Sequence, residues 1–165
     1  MSMCILLAMV AAFAGESNDA TKSDTARIAG VWRFVLVQVD GKKQPAVPFA
    51  TNKMIIAKDG NYAVIQGQRV TRGTVKLDPG ASPKQYDVTL TTGRLKGTMF
   101  RGIYDLQGET LKVCFPLKGK DRPATLGSEP GSGLLYEVFA REKQDVNEAM
   151  AEASRIEREG KGSGK

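Results

Sequence analysis

The chain has 165 residues, 41% of them hydrophobic, and a formal net charge of +6. That suffices for one domain with a real core and excludes wholesale disorder. Histidine is absent, and Cys4 and Cys114 are the only cysteines, which excludes Ser-His-Asp and Cys-His nucleophiles, histidine metal ligands and a four-ligand zinc site.

Cys4–Ala14 is an unbroken apolar run closing on Ala12-Phe13-Ala14, the small-residue pattern of a signal-peptidase site. The run is shorter than the ~20 apolar residues that span a bilayer. Residues 1–14 therefore read as a signal peptide and the protein as secreted or periplasmic, with no stable membrane insertion after cleavage. The first basic side chain is Lys22, late for such a leader, and a buried first segment of the domain is the alternative. Residues 15–25 are small and polar and read as a flexible leader. With Cys4 removed, Cys114 has no intramolecular partner.

Ala26–Gly30 is a lead-in with room for one helical turn. Val31–Val39 is rich in valine and aromatics and forms the first strand. If Trp32 faces inward, alternation takes Phe34 and Leu36 with it. Asp40-Gly41 turns the chain, and Pro45 and Pro48 make Gln44–Ala50 an irregular connection. Lys53–Lys58, Asn61–Gln66, Arg69–Leu77 and Gln85–Thr91 follow as strands between turn signals. Thr98–Leu106 and Leu111–Phe115 form the clearest hairpin, with Gln107-Gly108 supplying the turn. Gly102 interrupts its first strand, which costs stability unless the sheet bends or something approaches the backbone closely. Pro116–Gly133 is a long basic loop and Leu134–Arg141 the last strand. Short strands joined in order by tight turns predict an all-β antiparallel up-and-down β-barrel of about eight strands over residues 26–143.

Residues 144–160 follow a different period. Val146, Met150, Ala153 and Ile156 recur at helical spacing, and Asp145 with Glu148 resembles a capping box. They predict a C-terminal amphipathic α-helix packed on the barrel's outside, ended by Gly160, with 161–165 a disordered tail.

Gly30-Val31-Trp32 resembles the G-x-W of lipocalin and calycin barrels. In that family the Trp closes the barrel floor beneath a basic residue of the last strand, and Arg141 is the matching position. An arginine over an indole gains cation–π energy while sealing apolar surface. VDGKKQPA at Val39–Ala46, RGTVKLDP at Arg72–Pro79, GIYDLQGETLKVCF at Gly102–Phe115, KGKDRP at Lys118–Pro123 and EPGSG at Glu129–Gly133 occur in order. Together they resemble a small domain family expanded in planctomycete bacteria, often exported, of unassigned function and regarded as lipocalin-like. The resemblance covers roughly residues 28–143. It implies a lipocalin-like fold, carries no catalytic residues and does not extend to the helical tail.

Three sets of residues are candidate sites. Trp32, Phe34, Tyr62, Tyr86, Phe100 and Tyr104 fall on plausible inner faces and would line a pocket for a small apolar or amphipathic ligand, tyrosine hydroxyls needing hydrogen-bond partners there. A solid core describes the same residues, and an aromatic content of 7% leans that way. Lys118, Lys120 and Arg122 gather at one rim and suit a carboxylate, phosphate or sulfated glycan. A solvated loop with Asp121 as counter-charge is the more ordinary reading, and Arg122-Pro123 also suits an anchor for the loop itself. Trp32 and Arg141 form the barrel-closing pair. Cys114 is of opposite parity to its apolar neighbours and reads as a buried, inert thiol. Asp87 and Asp105 are strand carboxylates that nothing in the sequence pairs for glycosidase-like chemistry.

No metal site or cofactor motif is expected, and the chain does not read as an enzyme. Basic residues are spread without a nucleic-acid-binding signature, so no nucleic-acid partner is expected. The expectation is a monomeric extracytoplasmic barrel that binds a small apolar or anionic molecule. The alternative is a structural or interaction domain engaging a cell-envelope component through its surface.

Overall fold

The computed structural model describes residues 24–45, 51–119 and 121–162. The expected signal peptide and nearly all of the leader, residues 46–50, Lys120 and residues 163–165 lie outside the described residues.

Residues 24–28 form a short helix, α1. The strands are β1 (Gly30–Val39), β2 (Lys42–Lys43), β3 (Lys53–Ile56), β4 (Asn61–Gln66), β5 (Arg69–Asp78), β6 (Gln85–Leu90), β7 (Met99–Gln107), β8 (Thr110–Pro116) and β9 (Leu134–Glu142). Every neighbouring pair is antiparallel, β3 to β9 follow in sequence order, and β9 returns to pair with β1. Eight strands thus close a lipocalin-like up-and-down barrel. The short β2 extends it by pairing with the far end of β1, whose near end pairs with β3.

Closure depends on a bulge. The β1–β9 register runs Phe34↔Phe139 and then Leu36↔Val138, leaving Val35 extra. Trp32 and Phe34 face inward before the bulge, and Val37 and Val39 after it. Leu36, inward by strict alternation, is instead half-buried on the other parity, because one inserted residue exchanges the two faces of a strand.

One end of the barrel is sealed. The Trp32 ring is fully buried, its Nε1–H donates to the Ile28 carbonyl at 2.9 Å, and the Arg141 guanidinium lies 4.2 Å above it. Arg141 also donates to the carbonyls of Ala29 (2.8 Å) and Arg27 and pairs with Glu109 at 2.8 Å. A Cβ at Gly30 would collide with this guanidinium, so the glycine of G-x-W is needed here for close approach. Asp24 and Thr25, expected in the leader, belong to α1. Asp24 is buried and accepts hydrogen bonds from Tyr104 and Lys84, both at 2.8 Å. Burial alone would raise its carboxyl, but these two bonds and the Lys84 and Arg27 charges hold it below the usual range.

Gly102 accommodates the ring of Phe115. A Cβ there would lie 2.6 Å from two of its ring carbons, and the ring packs edge-on against Tyr86 with centroids 5.7 Å apart. Outside the barrel, α2 (Val146–Gly162) lays Ala149 and Ala153 on Val31, Ile55, Ala63 and Ile65, a second apolar cluster separate from the lumen. Asp145 caps it by accepting from the backbone N–H of Asn147 and Glu148. The helix continues through Gly160 to Gly162, where a stop at Gly160 was expected. Lys53–Glu152 and Arg72–Glu157 bridges flank the seam.

Two outcomes follow for stability. Arg141→Ala, which leaves the floor carbonyls without a donor and uncovers Trp32, is expected to cost at least about 2 kcal/mol in urea denaturation. Arg141→Lys, keeping the charge without the fork, should fall between it and wild type. Gly102→Val displaces the Phe115 ring and is expected to lower the unfolding free energy by ~1–3 kcal/mol in the same measurement.

Candidate ligand cavity

The seal occupies only one half of the lumen. In the other half lies a cavity of about 280 Å3, bounded by inward residues of β1, β4, β5, β6, β7, β8 and β9. Phe34, Val64, Val88, Leu90, Phe100 and Phe115 give it apolar walls, while Gln66, Thr71, Pro116, Leu117 and Leu135 stand at its open end. It opens beside the β8–β9 loop, where Leu95, Met99 and Leu117 are exposed.

The expected aromatic set divides. Phe34, Tyr62 and Phe100 line the cavity. Trp32, Tyr86 and Tyr104 belong to the packed core and do not line it. Trp32 is covered by Arg141, the Tyr86 hydroxyl points at Met54 Sδ 3.7 Å away, and the Tyr104 hydroxyl is held by Asp24. Each is taken up by a neighbour on the sealed side, which leaves none for a ligand.

The rim cations also separate. Arg122 turns back to the outer wall. Its Nη1 and Nη2 meet the two Asp87 carboxylate oxygens at 2.5 and 3.1 Å, and Nη1 donates to the Gly102 carbonyl. A bidentate pair of this kind is already satisfied, so Arg122 fastens the loop to β6 and β7 and is not a free anion contact. Its counter-charge is Asp87 rather than Asp121. Lys118 borders grooves at the mouth, and Lys120 lies outside the described residues. The same loop covers Cys114, which is buried with its Sγ 3.3 Å from the Gly127 carbonyl, and burial pushes its thiol up.

Glu137 was not among the expected site residues. It sits in mid-β9, opposite Val37 of β1 and Val113 of β8, and lines the cavity. Parity could have found it. If Arg141 faces the Trp32 floor, then Phe139, Glu137 and Leu135 share its face. Neither Glu137 nor Tyr62 has a side-chain hydrogen bond or ion pair among the described residues. No fully buried side-chain oxygen among them lacks a partner. The oxygens of Glu137 and Tyr62 must therefore face open space, and the space they line is the cavity.

Burial in this apolar surround raises the Glu137 carboxyl to about 7. Burial likewise raises the Tyr62 and Tyr86 hydroxyls well above their ordinary range, and the nearby Glu137 charge adds to both.

The chain matches no protein-family model, no curated protein and no solved structure.

A carboxyl raised by folding holds a proton that the unfolded chain releases. Its native form is thus favoured at low pH, and stability declines as pH rises from about 4.5 to about 7. Glu137→Gln removes that loss. The variant is expected to melt at higher temperature than wild type at pH 8, with the difference vanishing near pH 4.5, in thermal unfolding followed by circular dichroism.

Proposed function

We propose that this chain is a non-enzymatic, extracytoplasmic lipocalin-like domain that binds a small, largely apolar molecule inside the barrel. The observation that carries the reading is the open-ended lumen. Phe34, Val88, Leu90 and Phe100 wall about 280 Å3 of space that the core does not fill. Protein interiors are close-packed, so an unfilled apolar volume of this size forfeits dispersion energy unless something occupies it. An apolar cavity of roughly 150 Å3 takes up a benzene-sized molecule, so one or two rings, or a short alkyl chain, is the scale that fits here. The apolar leader at residues 4–14 supports export, and the ordered string of motifs supports kinship with the small planctomycete-type domains.

Two measurements test the reading. Native mass spectrometry of the protein purified from its own host is expected to show a retained small molecule. In calorimetry, a one-ring probe such as toluene is expected to bind with Kd between about 10 μM and 1 mM, the range its few heavy atoms allow. Leu90→Trp, which fills the lumen near its mouth, should abolish that binding in a barrel whose circular dichroism is unchanged. Binding that persists in the filled variant places the probe elsewhere and sinks the proposal.

A further inference from the structure

The cavity is not uniformly apolar. Among the described residues, the one charged residue that lines it is an acid, Glu137, and no lysine or arginine does. Of the rim cations, Arg122 is committed to Asp87 outside the barrel, and Lys118 borders the mouth and does not line the lumen. An anionic head group inside the lumen would meet a like charge and, among the described lining residues, no counter-ion. A purely apolar ligand would leave Glu137 and the Tyr62 hydroxyl facing it unpaired, which is costly away from water.

We propose that the occupant is a small amphiphile bearing a protonated amine, its apolar body against Phe34, Val88, Leu90 and Phe100 and its ammonium against the Glu137 carboxylate. This rests on the cavity-binding reading above and adds the chemical class of the ligand. The chemistry is complementary at each point. An ammonium has three donors and no acceptor, and the groups facing the cavity beside it, the Glu137 carboxylate and the Tyr62 hydroxyl oxygen, accept. Coulomb attraction strengthens in a low-dielectric lumen, where an isolated carboxylate is disfavoured and an ion pair restores its charge.

The arrangement also makes binding depend on pH. The residues flanking Glu137 on β1 and β8 are Val37 and Val113, and neither titrates. Across the lumen, the titratable groups that feel its charge are Tyr62 on β4 and Tyr86 on β6, and both stay protonated through the neutral range. Glu137 alone therefore sets the profile. A neutral carboxylic acid gives the ammonium no counter-charge, so ligand is taken up at neutral to alkaline pH and released under acid.

The test uses three probes of one shape on the full-length chain: phenethylamine, 2-phenylethanol and 3-phenylpropanoate. Calorimetry between pH 5 and 8.5 is expected to show the amine binding at least tenfold more tightly than the alcohol at pH 8. The advantage should shrink by close to tenfold per pH unit below 7, as one-proton linkage requires. The carboxylate should be the weakest at pH 8. Glu137→Gln should abolish the amine preference while leaving alcohol binding in place. In wild type, the Glu137 carboxyl pKa, followed by carbon NMR, should fall when amine is added, a readout independent of the variant's folding. Equal binding of all three probes, or an amine preference that survives in Glu137→Gln, overturns the amine assignment and leaves the cavity-binding reading standing. Tighter binding of the carboxylate reverses the assignment to a protonated Glu137 donating to an acid. Failure of all three to bind at millimolar concentration overturns both readings.

Discussion

The barrel depends on how β1 is shared. Its first four residues pair with β3, its last two with β2, and its other edge with β9 along most of its length. Without the β9 pairing the sheet would be open, with two long edges exposed. The bulge at Val35 lets one strand satisfy these partners while keeping apolar residues inward on both sides of it. The floor then forms at the bulge-free end, where Trp32 and Arg141 are register partners and the guanidinium reaches the carbonyls leading out of α1. Large side chains consolidate at that end, while Phe34, Val88, Leu90 and Phe100 wall the space at the other. Cavity and floor follow from one asymmetry.

Glu137 breaks the rule that the rest of β9's inward face obeys. Every other described position of β9 on its face is either apolar, as at Leu135 and Phe139, or sealed by hydrogen bonds, as at Arg141. An unpaired carboxyl in such a setting costs folding free energy, and departures of this kind concentrate at functional sites. Asp24 shows the contrasting treatment. It is buried, but three donors surround it, and its carboxyl is held low instead of high. Two acids of one barrel thus titrate on opposite sides of their ordinary values, because Asp24 has donors and charges around it while Glu137 is desolvated by an apolar surround.

The outside of the barrel is put to a different use. The β8–β9 loop is fastened down by Arg122 on Asp87 and covers Cys114, while α2 covers β3, β4 and part of β5. The helix is held chiefly by its alanine seam. Both of its flanking bridges are partly exposed, and pairs of that kind contribute little. Ala149 and Ala153 let the helix axis approach the sheet closely, which larger residues would prevent.

The sequence by itself determined the strand order, the central hairpin and the outer helix. Each is written in local periods and turn residues, and an antiparallel meander adds few choices beyond them. The Trp32–Arg141 floor was legible only through the resemblance of Gly30-Val31-Trp32 to the G-x-W of lipocalin and calycin barrels. Alternation also placed Phe34, Tyr62 and Phe100 on the inner face. Tertiary structure alone decided the rest. The Val35 bulge reversed Leu36, because a bulge has no turn residue to announce it. The division of the aromatics into floor and wall depended on which hydroxyl met Asp24 or Met54, partners distant in sequence. Arg122 was drawn from the rim by an aspartate 35 positions away. The character of Glu137 is set by what surrounds it. A glutamate between Tyr136 and Val138 is ordinary in a sequence, and only closure of the barrel turns it towards an apolar lumen.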